Sequence, residues 1–87
     1  MSKSKLNLVQ RLKIIEGQIR GLQEMIKKNV YCIDIITQTS AVKRALSGVE
    51  DGLMEGHLGS CLVNQIKKGK EKQAMDEILK VYQLKRK

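Results

Sequence analysis

Asn29–Lys68 reads NVYCIDIITQTSAVKRALSGVEDGLMEGHLGSCLVNQIKK, a stretch with no proline and no cluster of turn residues. Apolar residues recur through it with helical period, which predicts that most of it is one long helix. Tyr31-Cys32 stands at its start and His57-Leu58-Gly59-Ser60-Cys61 near its end. In an α-helix His57 and Cys61, four apart, share a face. Cys32 lies 25 residues before His57, about 37 Å along a helix axis at 1.5 Å per residue. One subunit therefore cannot bring all three together without breaking the helix. Two antiparallel copies can, and the arrangement predicts a Cys/His/Cys site built across a subunit interface, twice per dimer.

Two seams surround this stretch. Leu8, Leu12, Ile15, Ile19, Leu22 and Ile26 alternate four and three apart, the period of a helix packed along a coiled-coil stripe. Arg11, Lys13, Arg20 and Lys27 are expected to fall largely away from it, and residues 1 to 5 to fray. In the long helix Ile35, Val42, Val49, Gly56 and Val63 repeat every seven, with Thr39, Leu46, Leu53 and Ser60 interleaved. Beside them run Ser40, Ala41, Ala45, Gly48 and Gly52, small enough to admit a neighbouring helix. Asn29 either ends the first helix in a left-handed conformation or caps the second. In the latter case Cys32 sits at the third position of the first turn, where backbone N–H groups favour an anionic sulfur. Gly69 is expected to stop the long helix. A third helix, with Met75, Ile78, Leu79 and Tyr82 on one stripe, then covers about residues 71 to 84, before a basic tail, Lys85-Arg86-Lys87.

The reading is an all-α chain, one domain over 1–87, with two long helices and a short third. Its apolar surface exceeds what a helical hairpin covers, and self-association is the economical answer. There is no Phe, Trp or Pro in the 87 residues, and the net charge is +8. Residues 1 to 28 hold seven Lys/Arg against two Glu, whereas 29 to 68 are balanced at four against four. That excess points to a polyanion, nucleic acid before an anionic membrane surface. The missing Phe and Trp speak against single-strand binding by stacking. No apolar run reaches transmembrane length and no secretory leader is visible, so a cytoplasmic location is expected. Two cysteines in that setting suggest thiols or ligands before a structural disulfide.

Two thiolates and an imidazole form a soft, three-coordinate donor set that suits Cu(I); zinc would want a fourth ligand. The plainer reading makes both cysteines small buried hydrophobes and His57 a satisfied polar group. A Cys-His pair exists, but with one histidine, no evident orienting partner and no oxyanion loop a hydrolase is hard to assemble, so no enzyme and no small-molecule substrate are expected. No helix-turn-helix signature is present, so any DNA-binding surface is unconventional.

Arg11-Leu12-Lys13-Ile14-Ile15-Glu16-Gly17-Gln18-Ile19-Arg20-Gly21 resembles the first-helix signature of the CsoR/RcnR family of bacterial metal-sensing repressors. Tyr31-Cys32-Ile33-Asp34-Ile35, Gln38, Ala41-Val42, His57-Leu58 and Cys61 extend the resemblance over nearly the whole chain. It implies an antiparallel four-helix-bundle dimer, assembled as a dimer of dimers, that binds double-stranded operator DNA without a helix-turn-helix. Cys32, His57 and Cys61 agree with the copper-sensing branch, in which they are the Cu(I) ligands, one ion per intersubunit site. A persulfide-sensing branch keeps both cysteines but lacks the histidine. The resemblance also implies a tyrosine and a glutamate that orient the ligands. Tyr31 matches the first, and Glu77 matches the second better than Glu71. Arg11, Lys13, Arg20, Lys43 and Arg44 are the candidate DNA contacts. The expected function is Cu(I)-responsive repression of copper homeostasis genes. A thiol redox or persulfide sensor on the same scaffold, and a copper chaperone or interaction module without DNA, are the alternatives.

Overall fold

A computed structural model describes residues 3–86. Its elements in chain order are α1 (Lys3–Lys27), α2 (Cys32–Gly56), a π-helical turn (His57–Cys61), α3 (Leu62–Lys67) and α4 (Glu71–Arg86). The chain divides into two compact units, Met1–Leu53 and Met54–Lys87.

In the first unit α1 and α2 form a helical hairpin. Helix α1 ends because Asn29 takes a left-handed conformation, φ 54°. Its N–H donates to the Ile26 carbonyl (3.1 Å) and that of Val30 to Met25 (3.0 Å), the paired closing bonds of a Schellman motif. Asn29 is thus the terminator of α1 and not the cap of α2. The N–H groups of Asp34 and Ile35 donate to the Tyr31 carbonyl instead, which makes Tyr31 the cap and Cys32 the first helical residue rather than the third. Helix α1 already begins at Lys3, earlier than the frayed start expected from residues 1 to 5; Met1 and Ser2 lie outside the described residues.

Packing divides each seam in two. Ile15, Val42 and Val49 are buried, with Leu8, Leu22 and Ala45 packed against them. Leu12 and Ile19 are 43% exposed, Ile26 is more so, and Leu46 and Leu53 are 40% and 52% exposed. Alternate members of each seam thus serve the hairpin, and the rest form a second stripe facing outward. The small residues let α1 approach closely: a Cβ on Gly48 would stand 2.6 Å from an Arg11 guanidinium nitrogen, and one on Gly52 2.7 Å from Leu8 Cδ2. Arg11 therefore reaches α2 rather than pointing away from it, because position 11 shares the helical stripe of Leu8 and Ile15.

In the second unit α3 packs on α4. Gly69, φ 75°, ends α3 by a second Schellman pair, Gly69 N–H to Ile66 (3.1 Å) and Lys70 N–H to Gln65 (2.8 Å). Helix α4 buries Ala74 and half-buries Glu77, Ile78 and Val81. Met75, Leu79 and Tyr82, expected on the packed stripe, are exposed. Lys85 and Arg86 belong to α4 rather than to a tail, and Arg86 lies over the Tyr82 ring at 5.9 Å. Lys87 lies outside the described residues.

Candidate metal centre

The expected α-helical register fails at the site itself. From His57 to Cys61 the backbone widens into a π turn, with the Leu62 N–H donating to the His57 carbonyl five residues back. Ser60 Oγ donates to the Gly56 carbonyl at 2.9 Å and lies 3.9 Å from Cys61 Sγ. This is the bond of a helical serine hydroxyl back to the carbonyl four residues earlier. A π turn inside an otherwise α-helical segment is costly and recurs at functional sites. Here it spans the two residues whose side chains carry the candidate chemistry. Wider winding still leaves residues four apart close to one face.

His57 is half-buried and points Nε2 at Glu77 of α4, with Nε2 4.0 Å from Oε2. Glu77 is fixed from two sides. Gln73, one turn earlier on α4, donates Nε2–H to Oε1 at 2.9 Å, and Gln65 of α3 reaches both oxygens at 3.4 Å. The Gln73 and Gln65 amides hold the Glu77 carboxyl below the usual carboxylate range. His57 and Lys80 add to that pull, and partial burial opposes it. The carboxylate beside the imidazole is thus Glu77; Glu71 occupies the first turn of α4. With Nε2 turned to Glu77, Nδ1 is the imidazole nitrogen left for a ligand.

Cys32 opens α2, and Tyr31, directly before it, is exposed. Both cysteines are free thiols and exposed, contrary to the reading of them as buried hydrophobes. Among the described residues no three His, Cys, Asp or Glu side chains converge as a ligand set within the chain. The pair that the second unit does present is a thiol and an imidazole on one turn, a soft donor set.

Of the basic candidates, Arg11 lies beside Gly48 and Arg20 pairs with Glu16 at 3.1 Å. Lys13, Lys43 and Arg44 are exposed. The sequence alone does not single out Gln65 or Gln73. The spacing of Gln73 and Glu77, one helical turn, is the available signal for one of them; Gln65 comes from another helix and leaves none.

Thiol and imidazole donors on a small, basic, all-helical chain are the combination that suits a soft metal ion and a polyanionic partner. Comparison with known sequences narrows the class. The profile of the family described as metal-sensitive transcriptional repressor matches residues 4–83, and the chain belongs to that family. Its members are regulators of transcription, which sets aside the enzyme and chaperone classes. The copper-sensing transcriptional repressor CsoR of Bacillus subtilis (strain 168) is 44% identical over 81 residues, 93% of this chain and 80% of that protein. The copper-sensing transcriptional repressor RicR of Mycobacterium tuberculosis (strain ATCC 25618 / H37Rv) is 41% identical over 68 residues, 78% and 71% of the two chains. The crystal structure of the copper-sensing repressor CsoR with Cu(I) from Geobacillus thermodenitrificans NG80-2 superposes with a TM-score of 0.91. It is 40% identical, and the match covers 100% of this chain and 92% of that one. No helix among the described residues is long and apolar enough to cross a membrane.

Proposed function

We propose that this chain is a Cu(I)-responsive transcriptional repressor, which binds operator DNA in its metal-free form and releases it when Cu(I) occupies an intersubunit site. The observation that carries the reading is the orientation of His57: Nε2 faces Glu77, and Nδ1 remains for a metal on the turn that also bears Cys61. Similarity to repressors named as copper-sensing, and to one solved with Cu(I), supports the choice of ion. Cu(I) would supply a soft, geometrically undemanding centre for two thiolates and one imidazole. Cys32 of one subunit and His57 with Cys61 of its partner would hold it, one ion per site. Tyr31 and Glu77 would orient the donors.

The subunits pair as an antiparallel four-helix bundle, and two such dimers form the tetramer. The outward stripe of Leu12, Ile19, Leu46 and Leu53 supports this, since so short a chain leaves a wide apolar face uncovered when alone. Arg11, Lys13, Arg20, Lys43 and Arg44 are the operator contacts, and a cytoplasmic protein acting on copper homeostasis genes is the setting. Coupling is reciprocal: DNA weakens Cu(I) binding by the factor by which Cu(I) weakens DNA binding.

A thiol-sensing role is the second reading, favoured by two exposed free cysteines. His57 speaks for copper, because the persulfide-sensing branch that the sequence resembles keeps both cysteines but lacks this histidine.

Mixed dimers test the site. A Cys32→Ala chain paired with a His57→Ala/Cys61→Ala chain regains all three ligands at one of two sites. Half the wild-type Cu(I) stoichiometry is expected, with two sulfurs and one nitrogen in X-ray absorption. No tight binding by the mixed dimer would defeat the intersubunit assignment.

A further inference from the structure

The contacts around Glu77 are uneven, and the unevenness singles out Gln65. Gln73 anchors Oε1 with a bond of 2.9 Å from its own helix. Gln65 reaches across from α3 to both oxygens at 3.4 Å, a long and divided bond. Oε2 therefore lies between two donors: the Gln65 amide, which holds it weakly, and His57 Nε2, which stands at 4.0 Å, just outside hydrogen-bond reach. The carbonyl oxygen of Gln65 is itself buried and accepts no hydrogen bond among the described residues. A buried acceptor without a donor disfavours the present arrangement of that amide relative to one that frees it. A rotation of the carboxylate about its Oε1 anchor, moving Oε2 by about 1 Å, makes a hydrogen bond to the imidazole at the expense of the Gln65–Oε2 contact and leaves Gln65 only its long contact to Oε1.

We propose that Gln65 is a positioning residue that holds Glu77 Oε2 back from His57 in the metal-free protein and yields it when the ring becomes the stronger donor. This rests on the reading of His57 as a metal ligand through Nδ1. A ring so engaged carries its proton on Nε2 and donates it more strongly. The exchange loosens the link between α3 and α4 and tightens the link between the π turn and α4. The ring proton relocates from Nδ1 to Nε2 by exchange with solvent, and no electron is transferred.

The test uses the full-length protein, isotope-labelled and metal-free, as wild type, Gln65→Leu, Gln65→Met and each of these combined with Glu77→Gln. At one fixed alkaline pH the 15N shifts of the His57 ring report which nitrogen carries the proton. Removing Gln65 should raise the ratio of Nε2–H to Nδ1–H about twofold or more, the scale of one modest net hydrogen bond. The rise should shrink when Glu77→Gln replaces the charged acceptor by a weaker neutral one. A packing defect would alter the circular dichroism or Tm without depending on Glu77. An unchanged ratio in folded variants, or a rise undiminished by Glu77→Gln, overturns the proposal. The wild type gives a reading that does not depend on the variants folding. One equivalent of Cu(I) should shift the Gln65 side-chain amide resonances, and an amide unmoved in protein that has bound the ion overturns the proposal too. Wild type that binds no Cu(I) overturns the copper reading instead, and the metal-free ring ratio still decides the role of Gln65.

Discussion

The guanidinium of Arg11 lies over Gly48, so near that a Cβ there would stand 2.6 Å from its terminal nitrogen. The corresponding neighbour of Gly52 is Leu8, whose side chain packs on the Ile15–Val42–Val49 cluster. Two glycines one turn apart on α2 thus face neighbours of very different mobility. Gly48→Ala displaces only the end of a flexible side chain and gains about 1 kcal/mol of helix propensity. Gly52→Ala gains the same but pushes on packed core, at a cost of about 1–3 kcal/mol. Urea unfolding at one protein concentration should rank Gly48→Ala at or above wild type and Gly52→Ala below Gly48→Ala. The reverse order would mean that the hairpin is packed differently.

Glu77 gives a pH signature. Its folded-state pKa is lowered from the usual 4.5, first by Gln73 and then by Gln65. The stabilisation is therefore fully present above the unfolded value and is lost as pH falls through the lower folded value. Glu77→Gln should be less stable than wild type at neutral pH, and the two should converge as pH drops below about 4.5. Thermal melts of metal-free protein across that range check this. A constant gap down to strong acid would show that the carboxylate's charge is not what stabilises.

Arg20 separates folding from DNA binding. Its pair with Glu16 is solvent-exposed on both sides and is worth between nothing and about 1 kcal/mol. Arg20→Ala should fold and take up Cu(I) as wild type does, yet bind operator more weakly. Its salt slope should be shallower by about one, the share of a single phosphate neutralised by Arg20. Unaltered operator affinity would place the DNA surface elsewhere.

Much of the fold is legible in the sequence, and particular residues show why the rest is not. Helix positions follow from apolar period, and both terminators, Asn29 and Gly69, are residues that accept left-handed backbone. The period does not say which half of a seam serves the chain itself, because Ile15 and Ile19 obey it equally; only packing separates buried from exposed. For the same reason the period does not show that Arg11 turns toward α2. The π turn at His57–Cys61 is a change of hydrogen-bond register that leaves the spacing of residues untouched. Choosing Glu77 over Glu71 requires knowing how α4 returns past Gly69 onto α3. The amide clamp on Glu77 depends on that return as well.

Operator titration by fluorescence anisotropy, with and without one Cu(I) per subunit, tests the central claim most directly when wild type and His57→Ala are compared. Wild type should bind tightly when metal-free and lose affinity on Cu(I) addition by a factor in the range of about 5–150 typical of such coupling. His57→Ala, retaining two thiolates, should keep Cu(I) with modestly reduced affinity and lose most of that factor. Cu(I)-loaded wild type that holds its operator as tightly as the metal-free protein, or loaded His57→Ala that releases it as fully as wild type, would contradict the account.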